Sequence, residues 1–127
     1  MSRDDPLVRL KHMRDAALDA LTMAEGKSRE DLDADDLLAS ALHYKMIIIG
    51  EAASAVSREV TDAAPSIPWR EIIGMRNVII HGYDVVDLDV IWQAATRDVP
   101  SLLAELEPLI AQIEAERKQE EASGDTQ

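Results

Sequence analysis

Apolar side chains recur along the chain at three- and four-residue intervals, and no segment sustains the every-second-residue alternation of a half-buried strand. Leu7, Leu10, Ala17, Leu18 and Leu21 follow this step and predict a first helix over residues 5–24. Pro6 suits its first position, and Gly26 stands just past its end. A second helix, opened by an aspartate cap, is predicted over residues 34–60. Leu38, Ala41, Leu42, Ile48, Ile49, Ala52 and Val56 form its stripe, while Met46 and Ile47 extend apolar character to the opposite side. A helix apolar all round for a turn is covered from more than one direction. This one is therefore expected to be central, or shared with a second subunit. Residues 64–68 read as a loop, and Pro68 can open a third helix ending near His81 and Gly82. A last helical stretch covers residues 87–117, with Pro100 expected to kink or divide it. The pattern predicts an all-α, up-and-down bundle of four to five helices. Residues 1–115 would form one domain and residues 116–127 a polar, disordered tail.

Composition adds exclusions. The chain has 127 residues with no Phe, two Trp and two Tyr, so its core must be aliphatic. It has no cysteine, which excludes disulfides, thiolate catalysis, iron–sulfur clusters and cysteine-ligated zinc. The N-terminus is charged and no apolar leader follows it, and the longest strictly apolar run, from Met46 to Ile49, is far too short to span a bilayer. A cytoplasmic protein with no membrane association is expected. Net charge is −12, from 25 acidic and 13 basic side chains, which argues against broad nucleic-acid binding. Location qualifies the sum. Asp31, Asp33, Asp35 and Asp36 form one acidic block and Glu114, Glu116, Glu120, Glu121 and Asp125 another, whereas residues 68–83 carry Arg70, Arg76 and His81 against a single acid, Glu71.

Most candidate chemistry reduces to helix ends. Asp31, Asp33 and Asp35 have the spacing of a calcium loop, but Asp36 stands where that loop needs glycine and Leu42 where it needs glutamate. Capping and the helix dipole explain these acids better, and Asp84, Asp87 and Asp89 read the same way. His12 and His43 have no second ligand at metal-like spacing and read as surface or boundary residues. No metal and no cofactor is expected.

The third helix is different. Trp69, Ile72, Ile73, Ile79 and Ile80 fall on one stripe at 100° per residue, and Arg76 lands in its middle. An arginine there is costly unless it meets a carboxylate, a phosphate or a water-filled cleft. Arg70, Asn77 and His81 share the flank, with Asn77 and His81 one turn apart. Together these groups could bind a phosphodiester and move a proton. A plainer arrangement is also open: Arg76 paired with Glu51, and His81 as a cation in the last helical turn before Gly82.

The string Arg76-Asn77-Val78-Ile79-Ile80-His81-Gly82-Tyr83 resembles the R-N-x-x-x-H-x-Y signature of HEPN-domain proteins of the HepT type. The resemblance extends upstream through Ile49-Gly50-Glu51-Ala52-Ala53 and residues 67–75, and downstream through Asp87-Leu88 and Ile91-Trp92, covering residues 44–109 in all. It implies a HEPN-like homodimer with two motifs facing each other across a shared cleft. It also implies a metal-independent endoribonuclease toxin, partnered by a nucleotidyltransferase antitoxin of the MNT type. In that scheme Arg76 and His81 are catalytic, Asn77 orients the phosphate or the histidine, and Glu51 holds Arg76 or lines the cleft. Tyr83 would receive AMP from the antitoxin, which would silence the enzyme. Arg70 would add positive charge for an RNA substrate, with tRNA expected on family grounds. A second reading is a non-catalytic dimer that presents Tyr83 to the nucleotidyltransferase, and a third is a structural bundle with no site.

Overall fold

A computed structural model describes residues 5–81 and 85–125; of Arg76, Ile80, His81 and Asp125 it describes the backbone only. Four long helices carry the fold: α1 (Pro6–Ala24), α3 (Asp36–Ser54), α5 (Trp69–Ile79) and α7 (Val99–Asp125). Three shorter ones, α2 (Asp31–Ala34), α4 (Arg58–Ala63) and α6 (Leu88–Gln93), fill the connections. The architecture is the expected all-α bundle.

Local chemistry accounts for the boundaries. Asp5 caps α1 by accepting from the Leu7 N–H at 2.9 Å, Pro6 occupies the first turn, and Gly26 beyond the end has φ 74°. Two of the aspartates expected at helix starts are caps. Asp35 accepts from Leu38 N at 3.1 Å to cap α3, and Asp87 accepts from Asp89 N and Val90 N to cap α6. Asp31 holds the turn before α2 through Ser28 N, and the Arg29 guanidinium bridges Asp33 and Asp89. The single helix predicted over residues 34–60 is divided. The chain leaves α3 after Ser54 and restarts as α4 at Arg58, with Val56 buried between them.

The core is aliphatic. Leu10, Met13, Leu42, Met46, Ile49, Ile79, Ile91, Leu106 and Ile110 are fully or almost fully buried. α1 packs against both α3 and α7, and α3 lies between α1 and α5. Met46 therefore belongs to the inward stripe with Leu42 and Ile49, contrary to the sequence reading. Ile47 and Ile48 are half-buried, and Tyr44 is 60 % exposed.

Pro100 acts without a loop. Between α6 and α7 the residues Ala94–Asp98 form one widened π turn, closed by Val99 N–H donating to the Ala94 carbonyl. A proline at position 100 has no N–H for the carbonyl one turn back, and a widened turn absorbs that break in register. α7 then continues through Asp125, over the residues that the sequence suggests as a polar tail, and there Arg117 returns to bind Asp5. No helix among the described residues is long and apolar enough to cross a membrane.

Candidate active site

The site is built where α3 crosses α5. The start of α5 is fixed by Trp69, whose indole N–H donates to the Ala64 carbonyl at 3.0 Å while its backbone N–H reaches the Ile67 carbonyl at 2.8 Å. From there Ile72 and Ile79 point into the core, whereas Ile73 is 43 % exposed. The stripe expected on this helix is thus two faces. Ile72 and Ile79 pack inward, and Ile73 stands on the outward side with Asn77.

α3 can approach this closely because position 50 is glycine. A Cβ there would lie 3.2 Å from the Ile72 carbonyl oxygen and 3.8 Å from that of Ile73. On the outward side of the crossing, Ile47, Gly50, Glu51 and Ser54 from α3 meet Ile73 and Asn77 from α5 around a cavity of about 210 Å³. Ser54 donates its hydroxyl to the Glu51 carbonyl at 2.7 Å, closing the end of α3. The structure therefore brings Glu51 and Asn77 together, and the Arg76 backbone immediately precedes Asn77 on α5. Arg70 is exposed on the first turn of α5 and does not line this cavity.

His81 is not in a helical turn. α5 closes at Ile79, and the chain turns into a short antiparallel ladder in which β1 (Ile80–His81) pairs with β2 (Val85–Val86), His81 opposite Val85. Asp87 N–H donates to the Ile79 carbonyl at 2.6 Å, tying the base of the ladder to the cap of α6. Val78, Ile79, Ile80, Val85 and Val86 are β-branched, which favours a strand pair over continued helix. The reading of His81 as the cation of a last helical turn, with Gly82 beyond it, is corrected accordingly. Arg76 stands on α5 and His81 on β1, the strand that directly follows it. Gly82, Tyr83 and Asp84 lie outside the described residues.

A second concavity adjoins the first. Arg9 and His12 from α1 and Tyr44, Ile47, Ile48, Glu51 and Ser54 from α3 line a cleft of about 540 Å³, in which Ile47, Glu51 and Ser54 are common to both. No motif in the sequence singles out Arg9 or Tyr44, and His12, which reads there as a surface or boundary residue, is exposed. The available signal was spacing. Arg9 and His12 are three apart on α1, and Tyr44 and Glu51 are seven apart on α3, so each pair shares a helical face.

Comparison with known proteins gives the same direction. The family model described as ribonuclease HepT-like matches residues 9–109. A Thermococcus cleftensis protein named "Probable ribonuclease HepT" is 35 % identical over 95 residues, which is 72 % of this chain and 86 % of the relative. Two proteins provisionally named as RNases are also similar. One, from Caldanaerobacter subterraneus subsp. tengcongensis, is 30 % identical over 101 residues, covering 80 % of this chain and 90 % of the relative. The other, from Methanocaldococcus jannaschii, is 27 % identical over 107 residues, covering 84 % and 98 %. No solved structure matches.

Proposed function

The chain belongs to the HepT-like ribonuclease family, and on that premise we propose that it is a metal-independent endoribonuclease acting on a structured RNA, with tRNA as the expected substrate. The carrying observation is the Arg76-Asn77…His81…Tyr83 string within the matched residues, together with the placement of Asn77 and Glu51 on one cavity at the α3–α5 crossing.

In the proposed reaction His81 takes the proton from a ribose 2′-hydroxyl as that oxygen attacks the adjacent phosphorus. The bond to the 5′-oxygen of the next nucleotide breaks, and that oxygen receives a proton from an acid, the His81 of a second copy or water. The products are a 2′,3′-cyclic phosphate and a free 5′-hydroxyl. Arg76 neutralises the charge that builds on the phosphate oxygens. Asn77 orients the phosphate or the imidazole, Glu51 positions Arg76, and Arg70 contributes positive charge to the RNA path.

The proposal includes a homodimer that sets two motifs across one cleft. Exposed Ile73 and Val78 and half-buried Ile47 leave apolar surface on α3 and α5 beside the motif, which supports such an interface. It also includes a nucleotidyltransferase antitoxin. There the Tyr83 phenol oxygen attacks the α-phosphorus of ATP, pyrophosphate leaves, and the AMP left on Tyr83 repels incoming RNA phosphates.

The test is cleavage of total tRNA in EDTA by chain shown by mass spectrometry to be unmodified at Tyr83, beside His81→Ala. Cutting by the wild type alone is expected. Absence of cutting by the unmodified wild type would overturn the enzyme assignment in favour of a partner module that presents Tyr83.

A further inference from the structure

Arg9 poses a problem that the proposed chemistry leaves unsolved. It sits on α1, away from the Arg76–His81 segment, and its Nε is buried with no hydrogen-bond partner among the described residues. A buried guanidinium nitrogen without a partner is costly, and an oxyanion that accepts two parallel hydrogen bonds from the guanidinium fork, a carboxylate or a phosphate, relieves that cost. The cleft it lines, about 540 Å³, lies in the size range of ligand sites. His12 follows on the same face of α1, and Tyr44 on the opposite wall is 60 % exposed. The Lys45 ammonium stands 5.9 Å from the centroid of the Tyr44 ring and is held by Asp19 at 2.8 Å.

We infer that this cleft is a binding subsite for a single-stranded RNA nucleotide flanking the one at the cleaved bond, with Arg9 taking its phosphate and Tyr44 stacking on its base. The inference rests on the ribonuclease reading and extends it. Three observations carry it. The cleft shares Ile47, Glu51 and Ser54 with the Asn77 cavity, so a strand leaving one enters the other. A cationic group beside an open aromatic face is the usual platform for single-stranded nucleic acid. Finally, Glu51 is the sole carboxylate among the described lining residues, on a chain whose net charge is −12. This is therefore a place where a polyanion can approach an acidic protein. A carboxylate from a second copy of the chain could also satisfy Arg9, but such a contact gives the exposed Tyr44 face no base to stack.

The test is fluorescence anisotropy with a fluorescein-labelled single-stranded RNA 12-mer on full-length chain carrying His81→Ala, so that nothing is cut. Adding Arg9→Gln or Tyr44→Ala should weaken binding about tenfold each, as loss of a phosphate contact or a stacked base does elsewhere. Arg9→Gln should also make the salt dependence of log Kd shallower by about one. Tyr44→Phe should restore binding, because it keeps the ring. In the cleavage-competent background the same variants should raise KM more than they lower kcat. Circular dichroism melts check that each variant is folded.

Unchanged RNA affinity in both Arg9→Gln and Tyr44→Ala would overturn the subsite even if the wild type cuts RNA. Loss of dimer in sedimentation with RNA affinity per dimer unchanged would also overturn it, and would assign Arg9 to a subunit contact. RNA binding that depends on Arg9 and Tyr44 in a chain that does not cut would leave the subsite standing while the enzyme assignment fell.

Discussion

Gly50 and Ile72 meet backbone to backbone: a Cβ on residue 50 would stand 3.2 Å from the Ile72 carbonyl oxygen. That contact sets the separation of α3 and α5, and with it the distance between Glu51 and the helix that carries Arg76 and Asn77. A carbonyl in a helix cannot rotate away as a side chain can, so any larger residue must move one helix against the other. Gly50→Val should lower stability by about 1–3 kcal/mol and reduce RNA cleavage further than the lost stability explains. Gly50→Ala should show both effects more weakly. Thermal melts and cleavage rates on the same preparations would check this, and a Gly50→Val protein with wild-type activity would separate the crossing from the chemistry.

Removing the proposed proton carrier should be much more selective. Loss of a positioned acid or base commonly costs about 10²–10⁴ in rate, so His81→Ala should lose at least a hundredfold in cleavage. Arg76→Ala should fall in the same range through loss of charge stabilisation. Asn77 is exposed and lines the cavity through a neutral amide. Asn77→Ala should therefore cost less, about tenfold if it contributes one hydrogen bond to a charged group. All three should melt close to the wild type. Single-turnover rates on one tRNA preparation would rank them, and an Asn77→Ala defect larger than that of His81→Ala would require the roles to be reassigned.

The parts of this fold that were legible in the sequence are those written in local chemistry. Asp5, Pro6 and Gly26 bound α1 where the pattern places its ends, and Asp35 and Asp87 cap the helices they precede. What remained illegible depends on packing. Helical periodicity runs unbroken through Val56, and nothing local shows that the chain leaves α3 at Ser54. Ile73 looks as apolar as Ile72, and only the position of α3 decides that one is buried and the other open. His81 reads as helical because a three-to-four-residue step also fits a short strand that follows a helix, and its pairing partner Val85 lies further along the chain, outside that step. Arg9 and Tyr44 carry no local signal, because α1 and α3 bring them to one cleft across a distance in sequence that no motif spans.

Two groups should give the folding stability of this chain its acid dependence, in separate pH windows. The Asp5 carboxylate accepts from Arg117 through both oxygens, at 2.9 and 2.5 Å, and the Arg117 guanidinium holds it below its ordinary 3.8, with the Leu7 N–H adding to the effect. A carboxyl whose folded value is depressed contributes stability that is fully present above 3.8 and is lost as pH falls through the lower folded value. His43 behaves oppositely in charge. Its Nε2 is buried without a partner among the described residues, and desolvation holds the imidazole below 6.5. The unfolded chain therefore binds a proton there before the folded chain does, and stability declines as pH drops below about 6.5. Asp5→Ala should accordingly cost about 1–2 kcal/mol near neutrality, through the lost cap and ion pair, and should converge on the wild type in strong acid. His43→Leu should gain on the wild type between pH 7 and pH 5, where the wild-type imidazole resists protonation. Urea unfolding at pH 8, 5 and 2.5 would resolve the two. A wild-type to Asp5→Ala difference that persists undiminished at pH 2.5 would show that the carboxylate's charge is not what holds α7 to the start of α1.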